Sequence, residues 1–204
     1  MSSFRRGVYR HQDLRRVLDP KHVAVIGASP NATSVGARTV KQLELMGFGG
    51  EIFLVNSRYE KIGDRRCYPS VQSLPVSPDC VIATVARAAV EEVMVDAAKA
   101  GSGGAILFAA GFGETGKPER VAEQERIAAI GREAGMRIIG PNCFGAINYL
   151  SRSALTFGHT PSFKDETGTA GTHDRRIGLV SQSGGLGFAA VQALQRGVLF
   201  SHVL

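Results

Sequence analysis

The chain has 204 residues, 44% of them hydrophobic and 21% charged, with a net charge of +6. That length suits one domain with a sizeable core plus a remainder, and the composition excludes a disordered or fibrous protein. No run approaches the roughly 20 apolar residues of a membrane span, and no apolar core followed by a cleavage site marks a secretory signal, so no membrane is expected and the cytoplasm is the expected compartment.

The chain opens with MSSFRRGVYRHQDLRRVLDP, where Arg5, Arg6, Arg10, Arg15 and Arg16 crowd together. A basic balance suits an anionic partner. Nucleic acid is disfavoured, because the other basic residues are scattered and lack the interleaved aromatics of a single-strand binder. A solvated basic arm is the expectation.

From His22 onward, apolar runs of strand length alternate with segments of helical period. HVAVIG precedes a helix expected over 35–46; EIFLVN precedes a loop; CVIATV precedes a helix over 90–100; GAILFAA precedes one over 118–134; MRIIG follows. Strand and helix in alternation predict a parallel sheet covered on both faces, which explains strands with almost no polar alternation. Val90, Val93, Met94, Ala97 and Ala98 fall on one helical stripe facing that sheet. Pro118 and Gly135 punctuate the fourth segment.

From Leu150 to Arg176 the pattern fails, and the polar, Gly- and Thr-rich run reads as a linker or mobile loop. The pattern restarts as RIGLVSQ, GGLGFAAVQALQRG and FSHVL, one βαβ unit. The three cysteines, Cys67, Cys80 and Cys143, form no CxxC pair and are odd in number, against both a disulfide framework and a metal site.

Two stretches join a buried strand to a small-residue turn and a helix: VAVIGASPNATSVG from Val23 and IGLVSQSGGLG from Ile177. Each places open backbone N–H groups and the positive end of a helix dipole beside a strand end, which is the wiring of a phosphate cradle. The first is not GxGxxG, and EIFLVN ends in Asn56 where a dinucleotide fold carries an acid for the ribose hydroxyls. An NAD-dependent oxidoreductase domain is therefore disfavoured, though it stays as an alternative.

VAVIGAS, VNSRYEKIGDRRCYPSVQSLP, GFGETG, GPNCFGAIN and VSQSGGLG stand in an order and spacing that resembles the NDP-forming acyl-CoA synthetases, and more distantly the α subunit of succinyl-CoA synthetase. The resemblance runs from Leu14 to Leu204. It implies an α/β fold: a Rossmann-like, doubly wound parallel sheet over 14–149 that binds coenzyme A, a linker over 150–176, and over 177–204 the first βαβ unit of a flavodoxin-like, succinyl-CoA-synthetase-type domain.

By the same resemblance Gly27, Ala28, Ser29, Asn31 and Gly36 cradle the CoA phosphates, and Asn56 and Tyr59 line its nucleotide end. An Asn there can hydrogen-bond a ribose without repelling a 3′-phosphate. Ala110, Gly111 and Phe112 line the crevice for the pantetheine arm, and Asn142 and Cys143 lie near its reacting end. Glu114 reads as an exposed loop carboxylate. Cys143 has no neighbouring base at a telling spacing and reads as a packing residue rather than a nucleophile.

Ser183, Gly184 and Gly185 match the helix start that stabilises a phosphohistidine in the related enzymes. None of His11, His22, His159, His173 and His202 matches the phosphorylated position, which in the family lies beyond a point corresponding to Leu204. No catalytic residue is therefore assigned. The resemblance implies the CoA-binding portion of an acid–thiol ligase, inactive by itself, with ATP, ADP and Mg handled by an ATP-grasp domain or β subunit in cis or in trans. A stand-alone CoA-binding or regulatory module stays open, as does an acetyltransferase that carries this region as a sensor.

Overall fold

Strands covered on both faces need no polar alternation, and four of the apolar runs, HVAVIG, EIFLVN, CVIATV and GAILFAA, become inner strands of one sheet. The computed structural model describes residues 11–160 and 175–204; Arg5, Arg6, Arg10, His173 and the run 161–174 lie outside them. In chain order come α1 (His11–Leu18), β1 (His22–Ile26), α2 (Val35–Met46), β2 (Glu51–Val55), β3 (Lys61–Ile62), β4 (Arg65–Tyr68), β5 (Cys80–Ala83) and α3 (Val90–Lys99). After them follow β6 (Gly104–Leu107), α4 (Pro118–Glu133), β7 (Arg137–Ile139), β8 (Ala146–Asn148), β9 (Ser153–Leu155), β10 (Ile177–Leu179), α5 (Gly184–Val191) and β11 (Phe200–Val203).

The first sheet has seven strands in the order β3-β4-β2-β1-β5-β6-β7, parallel from β4 to β7, with β3 antiparallel at the edge. Successive residues of a strand face opposite sides. Ala24, Ile26, Val81 and Ala83 pack with Val90, Met94 and Ala97 of α3 and Ile127 of α4, while Val23, Val25 and Ile82 pack with Leu43 of α2 and Val17 of α1. Helices on both faces make the sheet doubly wound and Rossmann-like.

The helix limits follow from local chemistry. Ser34 caps α2 by accepting from the Ala37 amide at 3.2 Å, and Gly47, at φ 74°, closes it by donating to the Glu44 carbonyl. Pro118 opens α4, and Gly135 follows it at φ 67°.

Two segments differ from the sequence-based expectations. The expected loop after β2 contains β3 and β4, whose hydrogen bonds extend the sheet beyond β2. The expected linker contains β9, which pairs with β8 as a hairpin; all three of its residues are buried, but three residues are too few to display a period. The expected βαβ unit forms as β10-α5-β11: β11 pairs in parallel with β10 and also antiparallel with β8, in a second sheet ordered β10-β11-β8-β9.

The second sheet shares a core with the first unit, since Met46 of α2 packs with Ile147, Tyr149, Val191 and Phe200. Asn148 donates to the Leu18 carbonyl at 2.8 Å, tying β8 to α1. Arg16 is also structural rather than a member of a solvated arm: its guanidinium reaches Asp79 at 3.0 Å and the Pro78 carbonyl at 2.9 Å.

Candidate functional site

From β1 the chain winds one way to β2 and β4, and from β5 the other way to β6 and β7. A crevice opens at such a switch point beyond the carboxyl ends of the strands, where open α/β sheets bind ligands. The turn after β1 and Thr84 after β5 flank it. The Thr84 amide and hydroxyl both donate to the Ile26 carbonyl, at 2.9 and 2.8 Å.

Gly27 leaves β1 at φ 84°, its amide donating to the Val55 carbonyl at 2.9 Å. A Cβ at Gly36 would stand 2.9 Å from the Thr84 hydroxyl and 3.3 Å from Ala28 Cα, so the first turn of α2 lies directly against the loop. Ser29 accepts from the Asn31 amide at 3.2 Å, and Asn31 Oδ1 accepts from the Thr33 amide at 3.0 Å and hydroxyl at 2.8 Å. These bonds hold the loop in shape. With Ser34 spent on Ala37, the amides of Val35 and Gly36 lie at the open end of the helix, where intrahelical partners are lacking.

Asn56 has a structural role. Its side chain donates to the Ala28 carbonyl at 2.8 Å and accepts from the Arg58 amide at 3.0 Å, locking the β1 turn to the β2 turn. Tyr59 beside it is exposed. Of the neighbouring cations, Arg65 pairs with Glu44 at 2.7 Å and Arg66 lies over the Tyr68 ring at 4.8 Å. Arg58, just after β2, and Lys61, in the edge strand β3, are exposed.

After β6, Ala110 is exposed and the Phe112 side chain is fully buried. The Glu114 carboxylate accepts from the Gly111 amide at 2.5 Å and the Phe112 amide at 3.0 Å, and Gln124 accepts from the Gly113 amide at 3.0 Å. The Gly111 and Phe112 amides are thus held by a carboxylate of their own loop. Arg87 packs beside Gly111 and pairs with Glu123, which Arg120 also reaches at 3.0 Å. Desolvation opposes ionisation of Glu123, but the two arginines outweigh it and hold its carboxyl below the usual range.

After β7, Asn142 adopts φ 54° and donates its amide to the Ala109 carbonyl at 2.9 Å. Cys143 turns its thiol to the carbonyls of Leu107 and Ile139, at 3.4 and 3.6 Å, and burial pushes that thiol up. A raised thiol bonded to two carbonyls is a packing group rather than a nucleophile.

At the second turn, Ser183 caps α5 by accepting from the Leu186 amide at 3.3 Å. A Cβ at Gly184 would stand 2.2 Å from the Phe144 ring, whereas one at Gly185 would meet nothing within 4 Å. A cavity of about 430 Å³ joins Asn142 and Cys143 to Ser183 and Gly184, whereas Gly27, Gly36 and Asn56 lie apart at the β1 and β2 ends. Sequence reasoning missed Thr84, Gln124 and the rings of Phe144, Phe157 and Phe188. The PNCFG and GLGF contexts held Phe144 and Phe188 in plain view, but no sequence spacing joins them.

No helix among the described residues is long and apolar enough to cross a membrane, and no cluster of metal-binding side chains occurs among them.

The family model of the CoA binding domain matches residues 21–149. The chain is 37% identical over 194 residues to a trans-feruloyl-CoA synthase from an unknown prokaryotic organism, covering 95% of this chain and 27% of that protein. It is 32% identical over 187 residues to the acetate–CoA ligase [ADP-forming] II subunit alpha of Pyrococcus furiosus, covering 91% of this chain and 38% of that one. The chain thus spans between a quarter and two fifths of the length of these relatives. Its fold matches the dinucleotide-forming acetyl-coenzyme A synthetase 1 of Ca. Korarchaeum cryptofilum, solved with phosphate and ADP, at a TM-score of 0.78 and 29% identity over 94% of this chain and 39% of that one.

Proposed function

The chain belongs to the CoA binding domain family, and from that membership we infer that it is the CoA-binding portion of an NDP-forming acyl-CoA synthetase. Its homologues are enzymes of that type. The observation that carries the reading is the switch-point crevice between β1 and β5, where the open first turn of α2 meets a loop that Thr84 and Asn56 hold from two neighbouring strands.

The residues fit an anionic nucleotide. The half-buried Ser29 and Ser34 hydroxyls, which accept within the loop and keep their protons to give, and the α2 amides supply donors for phosphate, with Gly27, Ala28, Ser29, Asn31 and Gly36 shaping the loop. Asn56 and Tyr59 border the nucleotide end, and Asn56 puts no carboxylate where a 3′-phosphate must lie. The arm then follows the sheet edge past Ala110, Gly111 and Phe112 toward Asn142 and Cys143. When bound, CoA supplies the thiol that accepts the acyl group. The chain's own residues bind and orient it.

The second turn at Ser183, Gly184 and Gly185 is read as the place that stabilises a phosphoryl group on a histidine of the complete enzyme. The overall reaction consumes a carboxylic acid, CoA and a nucleoside triphosphate and yields acyl-CoA, the diphosphate and phosphate. We assign residues 14–149 to the CoA unit and 177–204 to the start of the second domain, joined in its sheet by the β8–β9 hairpin. One relative is a subunit alpha, which supports a partner subunit; the partner proposed is an ATP-grasp domain, in cis or in trans, and the compartment proposed is the cytoplasm.

Calorimetric titration with CoA, dephospho-CoA and NADH tests the reading. Saturable binding of CoA, weakened by loss of the 3′-phosphate and with NADH silent, is the expected result. Binding of NADH alone would overturn it.

A further inference from the structure

The cavity of about 430 Å³ between the Gly140–Gly145 loop and α5 is of a size that holds a small organic molecule. Its walls are mixed: Phe144, Phe188, Ile139 and Val191 supply apolar surface, and Asn142, Ser183, Gln124, Thr156, Ser181 and Gln182 supply polar atoms. Two of these walls are rings held in fixed planes. Phe144 stacks on Phe157, with centroids 5.2 Å apart and an interplanar angle of 19°, and on Phe188 at 5.7 Å and 26°. Phe157 is itself held by Phe108, edge-on at 4.9 Å, and by the Arg38 guanidinium at 5.4 Å.

This stack runs from α2, the helix of the first cradle, to α5, the helix of the second turn. Glycine is required where it passes closest, since a Cβ at Gly184 would enter the Phe144 ring and one at Gly158 would stand 2.8 Å from Phe188. Phe144 nevertheless keeps 39% of its surface exposed. A rigid, partly open aromatic wall recognises a flat ring by offset or edge-on contact. A two-carbon acyl group would leave the open surface of the Phe144 and Phe188 rings to water, which is unfavourable.

The location is also suited to an acyl group. In the order β1-β5-β6-β7 the cavity lies three strand intervals from the β1 turn, roughly 14 Å along the carboxyl edge of the sheet, a span that a phosphopantetheine arm bridges. We propose, resting on the CoA-binding reading above, that this cavity holds the acyl group of the thioester and that the acid is aromatic, an arylcarboxylate or arylpropenoate. Phe144 and Phe188 are its specificity-determining contacts, and Asn142 and Ser183 are the polar groups available to the acyl carbonyl.

The test is calorimetric titration of the full 204-residue chain with CoA, acetyl-CoA, hexanoyl-CoA and cinnamoyl-CoA. Cinnamoyl-CoA is expected to bind about tenfold or more tightly than acetyl-CoA, from burial of the ring, and more tightly than hexanoyl-CoA. Phe144→Leu and, separately, Phe188→Leu should each shrink the cinnamoyl-to-acetyl ratio, so that the result does not hang on one variant's folding. Equal affinity for the three thioesters, or a preference for hexanoyl-CoA, with CoA itself bound, overturns the aromatic site and leaves the CoA reading standing. Failure of CoA and all three thioesters to bind overturns both.

Discussion

Asn56 donates its side-chain amide to the carbonyl oxygen of Ala28 at 2.8 Å, across the join between β2 and β1. The same side chain accepts from the Arg58 amide, so one residue fixes both turns that border the crevice. Asn56→Asp replaces the donor with a carboxylate facing a carbonyl. It is expected to destabilise the fold by about 1–3 kcal/mol in urea unfolding, and to weaken CoA binding further by charge repulsion. A variant with unchanged midpoint and unchanged Kd would refute both roles.

Asp79 accepts from the amides of Lys21 and His22, at 2.8 and 3.1 Å, and from Arg16 at 3.0 Å. Burial opposes its charge, but these bonds and the guanidinium outweigh it and hold the carboxyl below the usual range. A depressed native pKa contributes stability that is present above the unfolded value near 3.9 and is lost as pH falls through the native one. Asp79→Asn should therefore cost about 1–2 kcal/mol at pH 7, with the gap to the unmodified chain closing below about pH 4. Denaturant midpoints measured from about pH 7 down through the unfolded value near 3.9 give the comparison, and a gap that is constant with pH would contradict it.

Much of the frame is legible in the sequence, because burial on two faces leaves apolar runs such as VAVI and CVIA, and because Ser34, Gly47 and Pro118 act on the chain within four residues of themselves. The site is less legible, since its geometry comes from strand adjacency. Thr84 meets Ile26 only because β5 lies beside β1, and Asn56 faces Ala28 only because β2 lies on the other side. The aromatic stack draws Phe108, Phe144, Phe157 and Phe188 from three loops and a helix, so no periodicity announces it. The hairpin of β8 and β9 is hidden by its shortness and by Ser153, a buried polar residue inside a run that reads as a loop.

Gly184 tests whether the stack is a rigid wall. Gly184→Ala places a Cβ 2.2 Å from Phe144 Cδ2, so the ring or the first turn of α5 must move, at an expected cost of about 1–3 kcal/mol. In the double variant with Phe144→Ala most of that cost should vanish, a coupling read from urea midpoints of the four proteins in the cycle. Strict additivity would mean that the helix start, rather than the ring, resists the substitution.

Glu114 satisfies the Gly111 and Phe112 amides with one carboxylate, at 2.5 and 3.0 Å, while Gln124 holds the Gly113 amide from α4. The loop at the β6 end thus owes its shape to two side chains rather than to a sheet or helix ladder. Glu114→Ala removes both carboxylate bonds and leaves the Gln124 bond in place. Hydrogen exchange followed by NMR should then show Gly111 and Phe112 amides exchanging about tenfold or more faster, the loss of roughly 1.4 kcal/mol of local protection, with the Gly113 amide changing less. Equal acceleration of all three amides would mean that the loop opens as one unit, and no acceleration would show that the carboxylate is not what protects them.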